Sequence, residues 1–150
     1  MALPESSIHS IALGSDARRI ETRFAELRDG RALSITLGRE EAIGQLVENF
    51  CKGVDWDGFD AAKPSIYSFL KGIEFLRGLP SRIKSPEVDF DPDGDVMFEW
   101  NEGPRRTFSV SIDRTGEISY AGLFGGSKVY GSEYFFGSVP KPIVDNLLRL

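Results

Sequence analysis

The residues that most resemble a chemical site form an acidic run in the second half of the chain, D-F-D-P-D-G-D-V at 89–96. This run matches a calcium-binding loop at its first, third, fifth, sixth and eighth positions. The twelfth position of that motif needs a bidentate Glu, and Trp100 stands there instead. Helices should also flank a calcium loop, whereas apolar and polar residues alternate on both sides of this run. The run therefore predicts a tight turn between two strands, in which Gly94 takes the left-handed conformation.

The same carboxylates support a second hypothesis, a metal-dependent hydrolase or nuclease that uses Asp89, Glu99 and neighbouring acids. Residues 85–102 hold seven of the 23 acidic residues and no Lys or Arg. Two-metal sites usually recruit His or acids from several elements, and the single histidine, His9, lies near the N-terminus. We therefore expect the acids to face solvent or a protein partner, with no metal and no cofactor.

Nucleophilic catalysis finds little support in the sequence. Cys51 and His9 are far apart and have no evident catalytic partners. The S-x-x-K match at 81–84 follows a helix stop instead of opening a helix, and G-G-S-K at 125–128 has the wrong order for a phosphate loop. These patterns favour a protein that is not an enzyme.

A stripe of small residues is a second candidate surface. In the predicted register, Ser111 lies opposite Ser119, and Ser109 lies opposite Ala121, on the outer face of the sheet. Such small side chains would let another backbone approach closely. Either the Gly-rich segment 122–137 folds back over this face, or the face is a groove for a ligand or partner. The residues expected to rim that groove are Glu99, Tyr120, Lys128 and Tyr130.

Both candidate surfaces depend on a predicted sheet. Apolar residues alternate with polar ones from Glu87 to Phe124, which predicts four antiparallel strands in a meander. Three-residue loops at 92–94 and 114–116 place all the large apolar residues on one face, whereas a slip of one residue would divide them between two faces. A short fifth strand is predicted at Lys128–Tyr130. The predicted pairs are Phe90 with Val96, Val88 with Phe98, Ile112 with Ile118 and Val110 with Tyr120.

Helices are predicted to cover the apolar face of this sheet. The best defined begins near Pro64 and ends near Arg77, with Phe75 off its apolar stripe of Ile66, Phe69, Leu70, Ile73 and Leu76. A helix over 39–52 is expected to end at Gly53, and a C-terminal helix over 140–150 is expected to bury Ile143, Leu147 and Leu148. The remaining predicted elements are an irregular lead-in over 1–15, a helix from Ser15 or Asp16 to Asp29, a strand or extended connection over 32–37, and a loop holding Trp56 and Phe59.

Length and composition limit the class of protein. With 150 residues, 41% of them hydrophobic, the chain is predicted to form one α+β domain over 1–150, with a helical part over 16–52 and the sheet within 55–150. Its net charge of −5 argues against nucleic acid and favours a basic protein partner. The single cysteine fits a reducing compartment. Because no signal peptide or membrane span is evident, we expect a cytoplasmic location away from membranes.

Four strings carry a resemblance to known proteins: W-D-G-F-D-A-A-K-P-S at 56–65, D-P-D-G-D-V-x-F-E-W at 91–100, F-S-V-S-I at 108–112 and I-S-Y-A-G-L-F-G at 118–125. Residues 55–150 resemble a recurring group of small bacterial proteins with no established activity. The resemblance implies a bacterial α+β domain and brings no catalytic residue with it.

Together these observations predict a non-enzymatic, acidic protein-binding module, such as the neutralising partner in a bacterial toxin–antitoxin, immunity or defence pair. The alternatives are the metal-dependent hydrolase and a small-ligand sensor on the serine-rich face. The predicted partner-binding residues are Asp91, Asp93, Asp95, Glu99, Ser109, Ser111, Ser119, Tyr120 and Lys128.

Overall fold

The computed structural model describes residues 39–54 and 63–150, which belong to one compact unit. The elements in chain order are α1 (Glu40–Val54), α2 (Ile66–Gly78), β1 (Glu87–Phe90), β2 (Val96–Asn101), β3 (Arg106–Ile112), β4 (Glu117–Phe124), β5 (Ser127–Tyr134) and α3 (Lys141–Leu147). The strands form one antiparallel sheet in the order β1-β2-β3-β4-β5, which confirms the predicted α+β meander. The predicted lead-in, the first helix, the strand over 32–37 and the loop with Trp56 and Phe59 lie outside the described residues. No helix in the described ranges is long and apolar enough to cross a membrane.

The predicted strand register is confirmed at both three-residue turns. Phe90 pairs with Val96, and Ile112 pairs with Ile118. This register directs the large apolar side chains of β2, β3 and β4 to one face, where they form the core with helix α2. The fully buried sheet residues of this core are Val96, Phe98, Phe108, Val110, Ile112 and Ile118.

Gly94 has a conformation that only glycine adopts at low cost. Its φ is 85°, its N–H donates to the Asp91 carbonyl at 2.9 Å, and its carbonyl accepts from the Ser65 N–H at 2.8 Å. Replacing Gly94 with Val is expected to lower the free energy of unfolding by at least about 1 kcal/mol, because a β-branched residue is strained at positive φ.

Thermal or urea unfolding measures this effect, and Gly126→Val is the matched control. Gly126 is exposed, is not among the glycines with positive φ, and has open space around an added Cβ. An unchanged melting temperature for Gly94→Val would contradict the turn's role in stability.

Strand β5 is longer than predicted, since it spans eight residues rather than three. Gly125 has φ 65°, which suits the first position of a two-residue hairpin turn, so the chain reverses immediately after β4. Gly131 continues the strand beneath the Tyr120 ring, where an added Cβ would lie 2.5 Å from Tyr120 Oη. The Gly-rich segment therefore extends the sheet, and the interpretation that it folds back over the serine-rich face is wrong.

The predicted apolar stripe of α2 is confirmed at Phe69, Ile73 and Leu76, which are buried. Ile66 and Leu70 are only partly buried, and other residues complete the buried face. Phe75, placed off the stripe by the sequence, is fully buried and stacks on Phe98 with ring centroids 5.1 Å apart. Gly72 lies so close to β2 that an added Cβ would be 3.1 Å from Val96 Cγ1. Small residues on this face let the helix approach the strands, which hydrophobicity alone did not indicate. The buried residues of α2 are Ser68, Phe69, Gly72, Ile73, Phe75 and Leu76.

The helix ends also differ from prediction. Helix α1 continues through Gly53 to Val54. Gly53 lets Pro64 pack closely against the helix, because an added Cβ would lie 2.3 Å from Pro64 Cγ. Helix α2 begins after Ser65, whose hydroxyl accepts from the Ser68 N–H at 3.3 Å. Helix α3 ends at Leu147, and Leu148, predicted to be buried, is 46% exposed.

Helix α1 covers the edge of the sheet formed by β1. The Asn49 amide donates to the Val88 carbonyl at 2.7 Å, and the Val88 N–H donates to Gln45 Oε1 at 3.3 Å. Since Gln45 and Asn49 are one helical turn apart, their amides satisfy both edge groups of Val88. This edge is therefore closed to another strand at its centre.

Candidate functional site

Four carboxylates lie at the end of the sheet where the β1–β2 and β3–β4 turns are side by side. They belong to Asp91, Asp93, Asp95 and Asp113, which we call the acidic end. Asp95 and Asp113 directly flank the last paired residues of β2 and β3, Val96 and Ile112. The fold thus places Asp113, which the sequence alone does not mark as a site residue, beside the other three carboxylates.

Two of these four carboxylates are engaged by their own turns. Asp91 Oδ1 accepts from the N–H groups of Asp93 and Asp95 at 2.9 and 3.0 Å. Asp113 Oδ1 accepts from the N–H groups of Thr115 and Glu117 at 2.7 and 3.0 Å. In both turns, the aspartate just before the loop accepts hydrogen bonds from the N–H groups two and four residues later. Asp is favoured before turns because its side chain can make such bonds. The predicted binding residue Asp91 has this structural role.

Asp95 is the electrostatically unusual member of the acidic end. Burial, followed by the charges of Asp91, Asp113 and Asp93, raises the pKa of Asp95 to about 6, against an opposing effect of Arg114. At Asp113, burial acts in the same direction, but hydrogen bonds from Thr115 and the turn backbone outweigh it, and the pKa of Asp113 is lowered. Asp113 therefore remains ionised, while Asp95 takes up a proton near pH 6.

An open cleft of about 580 Å³ lies between the acidic end and the start of α2. The Ser65 N–H donates to the Gly94 carbonyl, and this hydrogen bond joins the α2 side of the cleft to the β1–β2 turn. Tyr67, 47% exposed, contributes an aromatic ring to the α2 side. Carboxylates beside an aromatic ring favour an ammonium or guanidinium group. The residues that line the cleft are Lys63, Ser65, Ile66, Tyr67, Asp93, Asp95, Asp113 and Arg114.

The raised pKa of Asp95 has a consequence for stability. The native state binds a proton at Asp95 more tightly than the unfolded chain does, so stability falls as pH rises from about 4 to about 6 and stays reduced above that range. Asp95→Asn removes this penalty. We expect it to stabilise the protein by about 1 kcal/mol at pH 7.5, a value discounted for solvent screening, with the gain disappearing near pH 4.

Melting temperatures across this pH range test the expectation, with Glu41→Gln as the control. Glu41 is an exposed residue of α1, so its substitution makes the same change in charge away from the acidic end. A gain for Asp95→Asn that did not depend on pH would contradict the electrostatic explanation.

Glu99 is not part of the acidic end. It lies opposite Glu87 and Ser109, and it is four residues from Asp95 along β2, roughly 13 Å in an extended strand. Of the predicted acidic binding residues, the structure thus brings together Asp91, Asp93 and Asp95 and leaves Glu99 on the sheet surface.

The predicted pairing of the small residues is confirmed. Ser111 pairs with Ser119, and Ser109 pairs with Ala121. Ser111 Oγ donates to Asp91 Oδ2 at 3.1 Å, so the serine-rich face adjoins the acidic end. Lys128 shares this outer face and pairs with Leu123 at the far end of β4.

Tyr120 does not belong to the serine-rich face. It pairs with Val110 and Gly131, and its ring centroid lies 5.8 Å from that of buried Phe108. Because residues alternate between faces along a strand, Tyr120 points away from Ser119 and Ala121. The predicted groove rim that combined Tyr120 with the serines is wrong on this geometry.

The residues considered for catalysis are dispersed. Asp89 pairs with Met97 and accepts the Phe90 N–H at 2.8 Å, while Glu99 lies in the next cross-strand row. Among residues 39–54 and 63–150, no three His, Cys, Asp or Glu side chains are arranged to hold a metal ion. Cys51 is exposed on α1, and His9 lies outside the described residues.

No protein-family model, curated protein or solved structure shows a significant match to the chain. The resemblance of residues 55–150 to small bacterial proteins stays a prediction, and a functional assignment has to come from the geometry of the chain itself.

Proposed function

We propose that the protein is a non-enzymatic binding module whose acidic end captures a basic segment of another protein. The observation that carries this proposal is Asp95, which the fold holds among three other carboxylates although burial, followed by their repulsion, raises its pKa to about 6. A group kept in a costly electrostatic environment is a candidate for function, because a ligand can remove the cost. A Lys or Arg side chain in the cleft would do so.

The cleft fits a cationic side chain better than it fits a bare cation. Asp93, Asp95 and Asp113 form its acidic lining, and Tyr67 of α2 also lines it. A guanidinium can bond a carboxylate and stack on a ring, so this combination favours Arg over Lys. A partner that supplies such residues fits a neutralising role in a toxin–antitoxin, immunity or defence pair.

The two cations of the cleft set the position of the ligand. Arg114, whose charge partly opposes the raised pKa of Asp95, and Lys63 both line the cleft. Both residues repel a basic ligand, so we expect the ligand to bind the lining carboxylates Asp93 and Asp95. These two carboxylates are also the members of the acidic end whose side chains are not engaged in capping a turn.

A defined probe tests the proposal, namely an Arg-rich peptide titrated into the protein and followed by NMR. We expect backbone shifts centred on Asp93 and Asp95, and affinity that weakens between about 50 and 200 mM salt. Reversing both residues, Asp93→Lys with Asp95→Lys, should weaken binding and slow association by roughly tenfold. Binding should also weaken as pH falls below about 6, since protonation of Asp95 removes the charge that the ligand pairs with.

The matched control is Glu41→Lys with Asp145→Lys, which makes the same change in net charge. Both control residues are exposed, on α1 and α3. If the two double variants bind the peptide equally, the acidic end is not the interface, and the proposal fails.

A further inference from the structure

The free edge of β5 is a surface that the proposed function does not use. The Phe135 N–H donates to the Gly116 carbonyl at 2.8 Å, and hydrogen-bonded pairs alternate along an antiparallel ladder. The even-numbered residues of β5 therefore direct their N–H and C=O groups away from β4. In the described part of the chain, no hydrogen bond reaches these groups, which belong to Lys128, Tyr130, Ser132 and Tyr134.

This edge lacks the protection seen at the other side of the sheet. Strand β1 has four residues, and the amides of Gln45 and Asn49 occupy its edge. Strand β5 has eight residues, contains no proline, and pairs with β4 without a bulge. A long, regular and uncovered edge is a template for another strand.

Exposed aromatic residues accompany the edge. Tyr130 is 83% exposed, Tyr134 is 54% exposed, and Phe136 just beyond the strand is 87% exposed. They are three of the five large hydrophobic residues that are exposed in the described part of the chain, so this apolar surface is concentrated beside β5. A concentration of this kind marks a contact surface.

We propose that β5 pairs with β5 of a second copy of the chain. The two strands run antiparallel across a twofold axis, so that the two five-stranded sheets join into one sheet of ten strands. Only even-numbered residues have free backbone groups, so even residues must pair with even residues. Pairing centred on Gly131 satisfies this condition and uses every outward N–H and C=O group of both strands. It places Lys128 opposite Tyr134 of the second copy, and Tyr130 opposite Ser132 of the second copy.

The charges along β5 fit this antiparallel arrangement. Lys128 stands at one end of the strand, and Glu133 stands at the other, where Glu117 of β4 is also located. The twofold brings Lys128 of each copy beside the Tyr134 ring of its neighbour and toward Glu117, which pairs with Tyr134 on the same face. This arrangement favours a cation–π contact and attraction. The edge carries one base and one acid, so it suits a second copy better than the basic partner of the acidic end.

The substitution Ser132→Pro tests the interface. The Ser132 N–H points away from β4, so proline removes no hydrogen bond within the chain but blocks pairing at the edge. For the wild-type chain, sedimentation should give a mass that rises to twice the chain mass between about 1 and 100 µM. We expect Ser132→Pro to remain monomeric, or to weaken dimerisation at least about tenfold, over the same range.

A second variant, Tyr130→Lys, covers the case in which proline disturbs the fold. It introduces a charge on the exposed pairing surface and should also weaken the dimer, whereas Leu148→Lys, at an exposed residue just after α3, should not. Hydrogen exchange tests the proposed pairing of β5 with β5. Only the amides of residues 128, 130, 132 and 134 should gain protection as the protein concentration rises.

A wild-type chain that stays monomeric throughout this range would overturn the proposal. So would a dimer that survives both β5 substitutions, or protection that appears elsewhere on the chain. The inference does not rest on the acidic end, since reversing Asp93 and Asp95 is expected to leave the mass unchanged.

Discussion

Replacing Arg39 with Met is expected to lower the free energy of unfolding by about 3 kcal/mol, because it removes two short hydrogen bonds from a buried cation. Arg39 is 3% exposed, and its guanidinium donates to the carbonyls of Ile83 and Pro80 at 2.6 Å each. These bonds join the start of α1 to the turn between α2 and β1. Burial lowers the pKa of Arg39, but an arginine remains charged at neutral pH.

Methionine replaces the aliphatic stem of the side chain but has no donor. The Ile83 carbonyl would lose its bond from Arg39, and the Pro80 carbonyl would keep only the Ile83 N–H. Within the described residues, Arg39 Nε is a buried nitrogen without a hydrogen-bond partner, so the terminal nitrogens make the stabilising contacts. Arg39→Lys should recover only part of the loss, since an ammonium cannot reproduce the planar fork that reaches both carbonyls.

Urea unfolding measures these differences, and Arg82→Met is the matched control. Arg82 lies in the same turn but is exposed, so its loss should cost less than about 0.5 kcal/mol. Equal effects of Arg39→Met and Arg82→Met would contradict the role of the buried cation.

The second large effect is expected for Ser68→Ala in helix α2, a loss of about 2–3 kcal/mol. Ser68 is fully buried, and its hydroxyl accepts from the Val96 N–H at 2.6 Å while donating to the Ile112 carbonyl. Val96 and Ile112 are paired across β2 and β3, so the hydroxyl bridges the two strands beside the acidic end. Alanine would remove both of these bonds from buried backbone groups.

Ser65→Ala provides the comparison, because it changes the same residue type one turn earlier. Ser65 accepts one bond of 3.3 Å from the Ser68 N–H, so its replacement should cost about 1 kcal/mol. If Ser65→Ala cost as much as Ser68→Ala in urea unfolding, the bridging role of Ser68 would be refuted. Hydrogen exchange at the Val96 amide provides a local measure, since this amide should exchange faster in Ser68→Ala.

The sequence alone was sufficient for the sheet from β1 to β4. Alternating apolar residues and two turns with a glycine in the third position leave one register that keeps Phe90, Val96, Ile112 and Ile118 on the same face, and the structure has that register. These are local constraints, because the side-chain period and the turn geometry are set by residues close together in the chain.

Contacts between distant residues were decided only by the tertiary structure. Hydrophobicity predicted Phe69, Ile73 and Leu76 on the buried face of α2. It did not predict Ser68 and Gly72, which are buried for close approach and hydrogen bonding to strands about 25 to 45 residues away. Strand β5 continues through Gly131, where the absence of a Cβ leaves room for the Tyr120 ring, a contact across strands that strand propensity does not contain.

The candidate site also combines features that the sequence predicted with features that only the tertiary structure determined. The acidic run was visible as composition, and it correctly placed Asp93 and Asp95 at a turn. Only the tertiary structure added Asp113 and, through burial and the neighbouring carboxylates, raised the pKa of Asp95 to about 6. The physical reason is that charge repulsion and burial depend on distances through space, whereas the sequence determines directly only the distances along the chain.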